Sequence, residues 1–205
     1  CYKISSIEKY PLAWDKRDID TALDSWYHHD FGQSWKHHNW ELTFHRAGHI
    51  PGAAMLHVQT PEKSILLTGD FDTRDSSLVE GAKPVLADIL FIEGTYGGRY
   101  HPDKEEETER FLEAVDRVVR RGGTVLIPAF ANGRTQDVVM ILHKHRPHLN
   151  VHVDGMGKRV AKNHLSHPTF LKDASGLERA WRWAKKVSSK SDKKKALGAD
   201  VIVST

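Results

Sequence analysis

Between residues 101 and 160 the chain alternates between amphipathic and purely apolar segments, and no other feature restricts its possible folds as much. The run "HPDKEEETERFLEAVDRVVRRGG" places Phe111, Leu112, Val115, Val118 and Val119 at helical spacing, so they form one apolar stripe. Acids crowd its start and arginines its end, which suits the helix dipole, and Gly122 and Gly123 stop it. "TVLIPAF" then predicts a continuous apolar strand of the buried parallel kind. "GRTQDVVMILHKHR" predicts a second helix and "NVHVDG" a second strand; "ERAWRWAKKV" and "ADVIVST" add a further helix and a closing strand. Such β–α–β–α–β alternation implies a parallel sheet with helices on its faces.

The first half has a different texture. Residues 16–26 predict a short helix with Asp18 or Asp20 near its amino end. "WELTFHRAGH" alternates as a strand, and "AAMLHVQT" and "SILLTGDFD" follow as two more around the turn "TPEKS". "VLADILFIEGTYG" is another apolar strand that runs out at Glu93. The expected class is α/β: mainly antiparallel strands over 1–98, then a small doubly wound unit over 99–205.

Composition narrows the setting. The longest apolar runs, "ILLT" and "ILFI", are too short to span a bilayer, so no membrane association is expected. The opening "CYKISSIEKY" lacks a basic segment followed by an apolar core, so no signal peptide is expected. The one cysteine, Cys1, allows neither an internal disulfide nor a cysteine-based zinc site, which suggests a reducing cytoplasmic location, nuclear in a eukaryote. The chain starts without methionine and ends on an apolar strand, so an internal piece of a longer protein is expected. Fourteen histidines direct attention to metal binding, although "YHHD" and "WKHH" read as surface. The lysine-rich stretch over 181–198 reads either as a solvated helix and loop or as a surface for phosphate backbones.

Three strand ends share one architecture. "LTFHRAGH" ends at His49, "SILLTGDFD" at Asp70 and "DILFIEGTYG" at Glu93, and each group can bind metal or move protons. Each has a plain alternative: a histidine in a turn, an Asx turn, a glutamate capping a neighbouring helix. "PAFANGRTQD" puts Gly133 at a helix start with Arg134 in its first turn, which fits either a phosphate pocket or a tight turn with arginine capping a carbonyl. "HVDGMGKRV" puts Lys158 and Arg159 after a strand and two glycines, as candidate substrate contacts.

Taken in order, "AGHIPGAAMLHV", "ILLTGDFD", "ADILFIEGTYG" and "RGGTVLIPAFANGRTQDVVMIL" resemble the metallo-β-lactamase superfamily and, within it, the β-CASP nucleases. The resemblance implies part of an αββα sandwich followed by a β-CASP unit. It implies that His49 is a zinc ligand, that Asp70 bridges two zinc ions, and that Glu93 orients a catalytic histidine. Imidazole nitrogen and carboxylate oxygen are ordinary zinc donors, and a carboxylate can span two ions roughly 3.5–4 Å apart. It also implies a substrate-cleft role for Arg134, and single-stranded RNA as substrate. Homodimers or processing-complex subunits are the partners it suggests. The superfamily's His-x-His-x-Asp-His motif is not in these 205 residues, so the chain alone is expected not to hold a dinuclear site. Two other readings stay open, a non-catalytic β-CASP scaffold and a small-molecule metallo-hydrolase.

Overall fold

A computed structural model describes residues 13–205; Cys1 and the stretch "CYKISSIEKY" lie outside the described residues. Helix α1 (Lys16–Asp24) starts at a capping box in which Asp15 accepts the amides of Arg17 and Asp18, while the Asp18 carboxylate takes the Asp15 amide. Of the two expected aspartates, then, Asp18 serves the helix start and Asp20 does not. A five-stranded sheet follows: β1 (Ser34–His37), β2 (Trp40–Arg46), β3 (Ala54–Gln59), β4 (Ser64–Leu67) and β5 (Ile89–Phe91), in that spatial order. All pairs are antiparallel except β4 with β5. The histidine-rich "WKHHNW" turns the β1–β2 hairpin. His37 pairs with Trp40, and His38 takes a φ of 55° at the tip.

The second unit is a four-stranded, wholly parallel sheet in the order β6 (Val125–Pro128), β9 (Val201–Ser204), β7 (Val151–Asp154), β8 (Lys185–Lys186). Helices α2 (Lys104–Arg120), α3 (Arg134–His145), α4 (Gly157–Ser166), α5 (Ala174–Trp183) and α6 (Lys190–Ala196) accompany it. Val151, Val153, Val201 and Val203 line one face and pack on Leu112, Val115, Val139, Leu142 and Leu177 from three of those helices. No helix among the described residues is long and apolar enough to cross a membrane.

Three expectations are corrected. "TVLIPAF" is not buried throughout: β6 is an edge strand, and Leu126 on its outer face is 66% exposed. "ILFI" is likewise open, with Phe91 59% exposed, because β5 is also an edge strand. The helix in "ERAWRWAKKV" ends at Trp183, after which Ala184 turns extended and Lys185–Lys186 become β8. The lysine-rich segment after it forms helix α6, capped at its start by Ser189.

The second core draws on residues well before residue 98. Leu78 and Val79 are buried in it, the Ser77 amide donates to Asp137 Oδ1 (2.9 Å), and the Lys172 amide donates to the Leu78 carbonyl (2.9 Å). Arg46, at the end of β2, donates to the Thr169 carbonyl (2.8 Å).

Candidate active site

The loop after β2 is fixed by backbone bonds. The amide of Ala47 donates to Ala53 (3.0 Å), that of Asp72 to Ala47 (2.9 Å), and that of Ala82 to Asp72 (2.8 Å). Gly48 sits where these segments cross, at a φ of 72°. A Cβ there would overlap the Asp72 carbonyl oxygen and the Ala82 amide nitrogen, so only glycine fits. His49 follows directly and is half-buried.

The ends of β4 and β5 are joined in the same way. Thr68 is buried; its amide donates to Phe91 (3.0 Å) and its hydroxyl accepts the Glu93 amide (3.3 Å). Gly69, at a φ of 53°, turns the chain so that Asp70 stands exposed. The Glu93 carboxylate accepts the Thr95 amide on Oε2 (3.1 Å) and the Phe71 amide on Oε1 (3.4 Å). Hydrogen bonds from Thr95 hold this carboxyl below the usual glutamate range, with the Phe71 amide and the nearby His49 adding to the effect. Glu93 therefore braces the turn that carries Asp70, and the fold brings His49, the Asp70–Asp72 turn and Glu93 to one side of the first sheet.

His49 opens onto a cavity of about 210 Å³ shared with Asp72, Arg74, His101, Lys104 and Arg134. Arg134 is held out at the start of α3, its side chain 54% exposed and its Nη1 3.9 Å from Asp137 Oδ2. Gly133 before it has a φ of 83° and lies against Ile50, the neighbour of His49, where a Cβ would crowd the isoleucine side chain. Gln136, fully buried, donates to the carbonyls of Ala131 and Gly157 (both 3.0 Å) and ties the β6–α3 loop to the start of α4.

Lys158 and Arg159 do not line this cavity. Lys158 is turned inward, donating to Asp154 Oδ1 (3.1 Å) and to the Val187 carbonyl, so its ammonium is spent within the fold; Arg159 is exposed.

Three cavity residues were not singled out from sequence. Arg74 clasps Asp72 through Nε and Nη2 (3.1 and 3.0 Å). Burial alone would raise the Asp72 carboxyl, but these bonds and the Arg74 charge outweigh it and hold it low. Lys104 donates to the Asp75 carbonyl, and burial lowers its ammonium from the ordinary lysine range. His101 lies near Asp72. The only sequence signal was their position just after "TGDFD" and "EGTYG".

No family model matches the chain. Individual proteins do. The chain is 32% identical over 201 residues to Probable RNase MJ4 of Methanocaldococcus jannaschii, which covers 95% of this chain and 47% of that protein. It is 37% identical over 146 residues to cleavage and polyadenylation specificity factor subunit 3 of Dictyostelium discoideum, covering 70% and 19%. Ribonuclease TTHA0252 of Thermus thermophilus is 33% identical over 129 residues, covering 62% and 30%. The chain belongs to the β-CASP group of the metallo-β-lactamase superfamily. It spans about half the length of the first of these relatives and less of the others.

Members of this group are metal-dependent, and the donor types on this face suit a hard or borderline cation. The number of donors does not: among the described residues no three His, Cys, Asp or Glu side chains are grouped to hold an ion. The two donors expected from sequence, His49 and Asp70, fall short of the four that a zinc ion takes.

Proposed function

We propose that this chain carries part of the active centre of a zinc-dependent ribonuclease that hydrolyses single-stranded RNA in 3′-end processing or in RNA maturation and decay. The observation that carries the reading is that Glu93 holds the turn next to Asp70 and lies near His49, which opens onto a cavity lined by Arg74, Lys104 and Arg134 as well as Asp72 and Glu107. The names of the relatives, two ribonucleases and a cleavage factor subunit, point to the same chemistry.

In this reading His49 would hold bound zinc through an imidazole nitrogen and Asp70 through its carboxylate. Further ligands come from outside these 205 residues, and this chain alone does not complete the centre. Bound metal would supply Lewis acidity for water activation and neutralise charge at the phosphate. The protein's own contribution is positioning. Glu93 holds the Asp70 turn through the Phe71 amide and its own loop through the Thr95 amide, and the arrested loop at Gly48 holds His49. Arg134 offers a guanidinium to a phosphate oxygen from a helix start, where backbone amides favour anions. Cleavage inside the strand is the primary mode, with 5′ exonuclease action as a second mode of the same centre.

Asp70→Ala in the full-length protein tests the assignment. RNA cleavage should be lost while the circular dichroism spectrum and unfolding midpoint stay near wild type, because Asp70 is exposed and holds no structural contact among the described residues. Retained cleavage overturns it. Calorimetric titration of the present chain should find no pair of tight zinc sites.

A further inference from the structure

Lys104 is partly buried at the wall of the His49 cavity, and each carboxylate around it has another partner. Asp72 is clasped by Arg74 (3.0 Å), Asp75 by Lys172 (2.7 Å), and Glu107 by Arg110. Asp137 accepts the Ser77 amide (2.9 Å) and faces Arg134. What Lys104 holds is the backbone carbonyl of Asp75, a neutral acceptor. The ammonium makes its direct hydrogen bond to a neutral carbonyl, while Asp137 and Asp72 act on it only from a distance, so it can take a further anion from the open cavity beside it. Arg74 sits across the same cavity with Nε and Nη2 fixed on Asp72, which orients the guanidinium and leaves Nη1 unengaged among the described residues. Arg134 reaches the rim from α3.

We propose that Lys104, with Arg74 and Arg134, forms a phosphate subsite beside His49 that holds a phosphate of the bound RNA strand. This rests on the ribonuclease reading above. The phosphate is either a backbone phosphodiester or the 5′-terminal monoester, since both present the charged oxygens that ammonium and guanidinium groups recognise. Loops of the first unit and helix starts of the second line the cavity, so the subsite draws Arg74 from the first unit and Lys104 and Arg134 from the second. A phosphate held there would fix the strand's register against His49.

Fluorescence anisotropy of the chain with labelled single-stranded RNA, with and without a 5′-phosphate and over a salt series, tests this. Lys104→Met should weaken binding about tenfold and reduce the salt slope by about one, and Lys104→Arg should restore most of the affinity. A loss confined to the 5′-phosphorylated strand assigns the terminal monoester; an equal loss on both strands assigns a backbone phosphate. Wild-type affinity and slope in Lys104→Met overturn the subsite. Independently of any substitution, the ε-methylene resonance of Lys104 in the unaltered chain should shift on titration with inorganic phosphate, and an unmoved resonance also overturns it. The two proposals fail separately. Unchanged RNA binding in Lys104→Met together with dead Asp70→Ala removes the subsite alone. Cleavage retained by Asp70→Ala removes the nuclease reading and leaves the binding result standing.

Discussion

The two sheets of this chain are equally apolar in sequence and very differently covered in space. The parallel sheet has a core of fifteen buried residues, fed by three helices and by Leu78 and Val79 from the connecting segment. The five-stranded sheet has a core of four, Ala47, Met55, Leu66 and Ala82, and its last strand is exposed along its whole length. Apolar packing therefore stabilises the second unit, while the candidate site stands on the first. What holds that site in shape is instead a lattice of backbone hydrogen bonds around Gly48 and Thr68. The thin unit is then fastened to the thick one at Ser77–Asp137, Lys172–Leu78 and Arg46–Thr169. The lesson is that a rigid site can be built on little core when its loops satisfy each other's backbone groups and borrow a neighbour's packing.

Breaking the thick core should have the largest effect. Leu142 is fully buried in α3, so Leu142→Ala should cost about 2–5 kcal/mol in denaturant unfolding, the transfer loss plus the cavity left behind. If the first unit depends on the second as argued, both should melt together in that variant.

Breaking the thin unit's lattice comes next. Gly48→Ala puts a Cβ into the Asp72 and Ala82 backbone at a φ that suits glycine, so a cost of about 1–3 kcal/mol is expected. Hydrogen exchange should locate the damage at the Asp72 and Ala82 amides while the α3 amides stay protected. Uniform loss of protection would contradict the division of labour.

The pH dependence separates the units further. Burial, with His57 nearby, lowers His45 in the first sheet; burial lowers His152 on β7 and His164 on α4 in the second unit. Each folded pKa lies below the unfolded value of about 6.5, so between the two the unfolded chain binds more protons. Stability contributed by these groups is therefore complete above pH 6.5 and falls as the solution is acidified through that window. His45 Nε2 is buried without a partner, and its ring lies 5.9 Å from that of His57 on the adjacent strand. His45→Leu should flatten the limb of the stability curve below pH 6.5, measured by urea unfolding at stepped pH. An unchanged slope would place the titration in His152 and His164.

How far the sequence foretold this follows from what each signal reports. Periodicity reports which residues share a face, so the α2 stripe from Phe111 to Val119 and the capping by Asp18 were legible. It cannot report whether a face is covered, which is why "ILFI" and "TVLIPAF" read as buried strands and are edges. His49, Asp70 and Glu93 stand out as candidates in the sequence because each ends an apolar strand. Arg74 and Lys104 were not, because each is a charged residue in a polar loop or helix start, and only the docking of α2 and α3 against the first sheet turns them to one cavity. Lys158 looked free in sequence because nothing there shows that Asp154 and the Val187 carbonyl lie within its reach.

The smallest expected effect tests the thin unit from its open side. Leu90 is 52% exposed on β5, paired only with β4 through the parallel register Leu66–Leu90. Removing its side chain forfeits little buried area, so Leu90→Ser should change unfolding free energy by no more than about 0.5 kcal/mol. The same substitution at Leu66, one strand inward and buried, removes a quarter of that small core and should cost several times more. If Leu90→Ser proved as damaging as Leu66→Ser, β5 would be a covered strand in solution, and the contrast between the two sheets would shrink to a difference in helix number.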